Sequence, residues 1–347
     1  MPATIDLRSD TKTRPGPEMR RFMLAAEVGD DESGEDPTVN RLQDYAAGLF
    51  GKQAALYFPT GTMSNYVALR AHCNAGEEIF IHARAYLLLY GMAGAAALCG
   101  LQTRCFDTLD GTLVPDELSP FVQVDETADD AVTRAVVIEN TFNALGGLVY
   151  PLAKIRMMGD FCRERGLRLH LDGARVLNAA VAGGVPPAEI AAPCDSISVC
   201  LSKGLGAPMG SLLLGDAAYI ARARRYRAQF GGAMRQVGIM AAGGLYALEH
   251  NIGRLADDHR RARRLAELLA GVPGLRVSPE RTETNMVLAD TTPSGLSAYE
   301  VCERLEQRDV LADPNPYGIR FVTHLDVDDE AIETAAAVIV ETMTAAA

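Results

Sequence analysis

The sequence predicts an α/β fold: a mainly parallel, seven-stranded sheet in a large domain, followed by a small α+β domain. Three observations carry this. Short apolar runs alternate with longer segments of helical period, as they do when helices cover a parallel sheet. Chemically capable polar residues fall just after those runs, where an open parallel sheet places its ligand crevice. From about Ala217 the pattern becomes helical, and beyond Gly271-Val272-Pro273-Gly274 it changes to two strand-like runs flanked by amphipathic stretches.

The expected strands of the large domain lie at 55–58, 78–82, 104–107, 135–139, 167–171, 196–201 and 211–214. Helical segments follow at 217–227, 235–250 and 255–269. The later strands are expected at 285–288 and 319–323, with amphipathic helices at 297–308 and 328–344. The Ala/Leu-rich stretch 86–101 is too short and too rich in glycine to span a membrane, and reads as one buried helix. The domains expected are 1–250, with an N-terminal arm, and 251–347.

The chain has 347 residues, 48% hydrophobic and 22% charged, which is ordinary globular composition. A net charge of -12 opposes nucleic acid and anionic membrane surfaces, so a small molecule is the better partner. The basic runs 222–227 and 260–264 interleave with apolar residues at helical spacing and read as solvated helix faces. Seven cysteines without a C-x-x-C pair suggest neither a disulfide framework nor a metal site, but small buried apolar residues in a reducing cytoplasm. The N-terminus carries charges where a signal peptide needs an apolar stretch.

Two of the polar strand ends belong together. Asp172 closes the run Leu167–Leu171, and Lys203 follows the next one, Ser196–Leu201. An aldehyde cofactor needs this pair: an amine to form the imine, and an anion to keep a pyridine nitrogen protonated. Its phosphate needs N–H donors, and Phe58-Pro59-Thr60-Gly61-Thr62 offers a strand, a glycine turn and a helix start. A second glycine loop, Gly231–Gln236, delivers Arg235 at a helix start.

These stretches, with Asp6-Leu7-Arg8-Ser9-Asp10-Thr11, Gly34-Glu35-Asp36-Pro37-Thr38, Glu139-Asn140-Thr141, Asp172-Gly173-Ala174-Arg175 and Arg320-Phe321-Val322-Thr323-His324, run in order along almost the whole chain. Together they resemble the low-specificity L-threonine aldolases, of the beta-eliminating lyase type in fold type I of the pyridoxal-phosphate enzymes. The resemblance implies pyridoxal 5'-phosphate as cofactor, Lys203 as its Schiff-base lysine and Asp172 as the partner of the ring nitrogen. It implies that Gly61, Thr62 and Arg235 hold the phosphate, Arg235 reaching across from a neighbouring subunit of a homodimer or homotetramer. Ser9, Arg175 and Arg320 are implied as the grip on the substrate carboxylate. The implied reaction is aldol cleavage of an L-β-hydroxy-α-amino acid to glycine and an aldehyde.

The substrate side departs from the family pattern. Tyr86 stands where the family has a histidine stacking on the cofactor ring, and Phe142 where it has a second histidine. Ser33 stands in place of a tyrosine, and Gly91 in place of a glutamate. Tyr86 can cover the ring, but with an ordinary pKa of about 10 it is a better proton donor than acceptor. These changes keep β-elimination or racemisation on the same scaffold as rival readings, with an idle cofactor-binding scaffold behind them. A dinucleotide dehydrogenase is disfavoured, since no G-x-G-x-x-G follows the first strand.

Overall fold

The computed structural model describes residues 4–125, 129–316 and 318–345; residues 1–3 and 346–347 of the two expected domains lie outside these. Seven strands form the central sheet: β1 (Ala54–Phe58), β2 (Glu78–His82), β3 (Gln102–Phe106), β4 (Thr133–Glu139), β5 (Arg168–Gly173), β6 (Ser196–Cys200) and β7 (Ser211–Gly215). Their spatial order is β1-β7-β6-β5-β4-β2-β3. All neighbours run parallel except β7, which lies antiparallel between β1 and β6. Helices cover the inner strands; β4 reads as a nearly continuous apolar run, whereas β5 and β6 alternate, with buried His170, Asp172, Ser196 and Ser198 on one face and Leu169, Leu171, Ile197 and Val199 on the other.

Local chemistry sets the helix starts that matter for the cleft. Thr60 Oγ1 accepts from Met63 N at 3.1 Å and caps the Gly61–His72 helix. Asp36 caps Pro37–Phe50, with proline at the first position and left-handed Gly51 at its end. The same buried carboxylate accepts from Gly238 N at 2.9 Å, tying two helix N-termini together.

A second sheet, in the order Asp313–Asn315, Gly318–Val322, Met286–Asp290, Arg276–Val277, is antiparallel throughout. It packs with the helices Leu255–Leu269, Ala298–Glu306 and Asp329–Thr344 around a separate apolar core. Leu255 lies in the main core while Ala262, Leu265 and Leu269 lie in the second, so one helix serves both. The N-terminal segment joins this second unit: Ile5–Asp6 pairs in parallel with Val310–Leu311, and Leu7 is fully buried in its core.

Three expectations need correcting. The stretch 86–101 forms two single helical turns, Tyr86–Leu89 and Gly94–Ala97, with left-handed Met92 and Ala93 between them. A Cβ at Gly91 or Gly94 would collide with Tyr66, whose hydroxyl donates to Gly91 O. That ring, rather than helical period, decides the shape. Within 222–227, Arg227 is buried, paired with Asp31 at 2.8 Å and donating to Tyr57 O at 2.7 Å. Of the cysteines Cys105 is exposed and Cys200 and Cys302 are partly so. Among the described residues no helix is long and apolar enough to cross a membrane, and no group of three or more His, Cys, Asp or Glu is placed for a metal ion.

Candidate active site

In the central sheet Glu139 pairs with Asp172 and Asp172 with Ser198, so the carboxyl ends of β4, β5 and β6 stand side by side. Asp172 and Glu139 are both buried there, and Lys203 follows β6 by three residues. Burial pushes the Asp172 carboxyl up, opposed by Lys203, a hydrogen bond from the Asn65 side chain, and Arg175. Burial, then repulsion from Asp172, pushes Glu139 up to about 7. Glu139 makes no direct claim on the cleft. Its two oxygens accept from Tyr86 N at 2.7 Å and Asn143 N at 2.9 Å, fixing both residues from behind.

Above these strand ends opens a cleft of about 370 Å³, lined among others by Ser9, Tyr86, Asn143, Arg175, Lys203 and Arg320. Lys203 Nζ lies 5.8 Å from the centre of the Tyr86 ring. Thr62 hydrogen-bonds the Tyr86 hydroxyl, while burial raises the phenol pKa and keeps it protonated at neutral pH. The Gly61–His72 helix starts against β6: a Cβ at Gly61 would sit 2.6 Å from Cys200 Sγ. Glycine is therefore required for this approach, and it brings the N–H groups of Gly61 and Thr62, which no helical carbonyl can satisfy, to the end of the lysine-bearing strand.

On the opposite wall a polar chain crosses between the two sheets. Asp10, fully buried, accepts from Arg175 Nε at 2.7 Å and Nη2 at 2.6 Å, and from Asn285 Nδ2 at 3.2 Å. The paired charges outweigh the burial: Arg175 is raised and Asp10 is held far below the usual carboxylate range. Arg175 Nη1 and Arg320 Nη1 then share Asn143 Oδ1, at 3.3 and 3.1 Å. Arg320 is also 3.4 Å from Asp313, and its buried Nε has no hydrogen-bond partner among the described residues.

Of the residues expected from sequence, Ser9, Tyr86, Arg175, Lys203 and Arg320 line one cleft, with Asp172 beneath it and Gly61 and Thr62 at its edge. Phe142 does not line it. Its ring is buried edge-on against His82 at 4.8 Å, and its neighbour Asn143 takes the place at the wall. Ser33 and Arg235 also lie outside the chain's own cleft, but together. Asp30 Oδ1 accepts from Ser33 N, Arg235 pairs with Asp30 at 3.1 Å and with Glu32, and Asp31 N donates to Arg235 O. Sequence reasoning passed over Asp10, Glu139 and Asn143. Glu139 carried the same signal as Asp172, a carboxylate closing an apolar run; Asp10 carried none beyond its place in a matching segment, and Asn143 none.

This arrangement agrees with what the chain is similar to. Residues 6–292 match the family described as Beta-eliminating lyase. The low specificity L-threonine aldolase of Escherichia coli K12 is 46% identical over 336 residues, covering 96% of this chain and 97% of that one. The probable low-specificity L-threonine aldolase 2 of Arabidopsis thaliana is 39% identical, covering 95% and 94%. Among solved structures, a Leishmania major threonine aldolase superposes with a TM-score of 0.81 at 19% identity, covering 98% of this chain and 99% of that one. A putative aromatic amino acid beta-eliminating lyase/threonine aldolase from Exiguobacterium does so with 0.80 at 23%, covering 98% and 97%. A paired carboxylate and lysine at adjacent strand ends, under an arginine-lined cleft, and near-complete alignment with these relatives lead to one conclusion: the chain belongs to the beta-eliminating lyase family, on its low-specificity L-threonine aldolase branch.

Proposed function

We propose that this chain binds pyridoxal 5'-phosphate and performs aldol cleavage of an L-β-hydroxy-α-amino acid to glycine and an aldehyde. The observation that carries the reading is Asp172 at the strand end beneath a cleft that Lys203, Arg175 and Arg320 line together. Two guanidinium groups on one wall of the cleft suit a carboxylate-bearing ligand.

The residues fit the cofactor. Lys203 would hold its aldehyde, Asp172 its ring nitrogen, and the Gly61 and Thr62 N–H groups its phosphate, with Tyr86 over one face of the ring. When bound, the cofactor supplies a protonated ring that accepts the electron pair of the bond broken at the α-carbon.

The chain's own residues then decide which bond breaks. Arg320, Arg175 Nη1 and Ser9 Oγ would hold the substrate carboxylate to one side, keeping its bond out of alignment with the ring's π-system and leaving the other α-carbon bonds to be cleaved. The Asp10 fork fixes Arg175, so that its Nη1 meets the substrate without a prior change of rotamer. The Tyr86 phenol, protonated at neutral pH, donates a hydrogen bond inside the cleft. Arg235 and Ser33 are assigned to a neighbouring subunit's cleft in a homodimer or homotetramer, and the working compartment is assigned as the cytoplasm.

Incubation with L-threonine, L-allo-threonine and phenylserine should yield glycine and the matching aldehyde from at least one. No aldehyde from any of the three would overturn the reading. Keto acid, or solvent deuterium at the α-carbon without aldehyde, would replace it with β-elimination or racemisation.

A further inference from the structure

Behind Asp172 a line of polar side chains runs through the interior, away from the cleft. His170 lies two residues before Asp172 on β5 and shares its face. Ser196 on β6 is its registered neighbour. Asn65 and His72 stand two turns apart on one face of the Gly61–His72 helix. The contacts are continuous. His72 Nε2 is 2.7 Å from Ser196 Oγ, Ser196 Oγ is 2.8 Å from His170 Nδ1, and His170 Nε2 is 3.1 Å from Asn65 Oδ1. The Asn65 side chain hydrogen-bonds Asp172.

Counting donors and acceptors leaves one direction. If the Asn65 amide nitrogen donates to the Asp172 carboxylate, its oxygen faces His170 Nε2, which must carry the ring proton. His170 Nδ1 is then an acceptor for the Ser196 hydroxyl, whose oxygen accepts from His72 Nε2–H. The opposite tautomer would set two acceptors against each other, either at His170 and Asn65 or, with the amide turned over, at Asn65 and Asp172. Both histidines stay neutral. Burial lowers His170 to about 3 and lowers His72 well below its ordinary value, helped at His72 by His170, Arg168 and Arg222. His72 is also stacked on Tyr219, ring centres 4.2 Å apart. The other charged groups acting on Asp172 are Lys203 and Arg175, which favour its anion, and Glu139, whose charge is coupled to it.

We propose that His72, Ser196, His170 and Asn65 form a one-way donor line that holds Asp172 as an anionic acceptor toward the cofactor ring nitrogen, with His170 and Asn65 as positioning residues. This rests on the reading above that Asp172 faces that nitrogen. The line fixes the carboxylate's orientation and charge from a dry interior, where each neutral hydrogen bond counts for more than in water. Glu139, equally buried, has only two backbone N–H groups and no such line. Of the two neighbouring carboxylates, Asp172 is the one that receives a side-chain donor from such a line.

Nitrogen-15 NMR of the full chain labelled at histidine should show His170 as the neutral Nε2–H tautomer, with or without cofactor, from pH 5 to 8. With ring-labelled pyridoxal phosphate bound, the ring nitrogen should report as protonated in the parent protein and move toward the unprotonated position in His170→Phe. In the same variant kcat should fall about 10-fold with KM little changed, the scale of losing an outer hydrogen bond. His170→Gln, which keeps an N–H donor, should recover both. An Nδ1–H tautomer, or an unmoved ring-nitrogen signal in folded His170→Phe, would overturn the proposal alone. If His170→Phe does not fold, the tautomer of the parent chain decides. Failure to take up the cofactor at all would overturn the functional reading and this one with it.

Discussion

At the floor of the cleft, Asp172, Glu139, His170 and Asn65 are at most 4% exposed and bonded on both sides. At its mouth, the segment from Tyr86 to Ala97 leaves Tyr90 41% and Met92 86% exposed on two single turns joined by left-handed residues. The floor is made of adjacent strand ends, where a shift of one side chain disturbs a continuous hydrogen-bonded set. The mouth is held mainly by Tyr66 beneath Gly91 and Gly94 and by Glu139 on Tyr86 N. The two differ in what a substitution costs. The departures from the family pattern at Tyr86 and Gly91 both fall in this more exposed segment, Gly91 being fixed there by Tyr66, against which no Cβ fits, whereas Asp172 lies in the bonded interior.

Five measurements sharpen this contrast. The largest effect is expected from Lys203→Ala, which should abolish the imine absorption band and lower kcat by about 10³-fold or more, the loss of both a covalent anchor and a proton carrier. Next, Asp10→Ala removes the only carboxylate bonded to the buried Arg175 among the described residues and should lower unfolding free energy by about 3–5 kcal/mol in urea titrations. Glu32→Ala, which removes one exposed partner of Arg235, should cost under about 1 kcal/mol in the same assay. Equal losses from the two would erase the distinction between interior and surface pairs.

Arg320→Ala should raise KM about 30- to 100-fold, corresponding to about 2–3 kcal/mol for a charge-assisted contact, with Arg320→Lys recovering little. The last effect is a slope. His170 is neutral in the fold down to about pH 3, while its ordinary value is 6.5, so below pH 6.5 only the unfolded chain takes up its proton. Its contribution is complete above pH 6.5 and is lost as pH falls toward 3, by about 1.4 kcal/mol per pH unit. Subtracting the pH profile of His170→Gln from the parent profile should isolate that one-proton slope; superimposable profiles would contradict it.

The inner strands of the main sheet were readable because their burial leaves runs rich in apolar residues, while the edge strand Gln102–Phe106 is largely unburied and offers no such run. Asp172 and Lys203 were readable because each closes such a run. Tertiary contacts hid the rest. Nothing in the small-residue stretch after Tyr86 announces that a tyrosine twenty residues earlier will break it into two turns. Arg227 looks like its exposed neighbours until Asp31 is folded over it. Phe142, aligned with a substrate-facing histidine, has no polar atom to spend in a wet cleft and turns instead to His82. Asp10 was inside a matching segment, yet its role depends on Arg175 and Asn285, 165 and 275 positions away.

That wall of the cleft is stitched from the beginning, the middle and the final third of the chain: Asp10, Arg175, Asn285 and Arg320. During synthesis the floor can form as soon as Ser211–Gly215 has emerged, whereas the anion grip waits until Arg320 leaves the ribosome. A nascent polypeptide halted before that point would have a place for a vitamin-derived ring and no Arg320 to hold an amino acid.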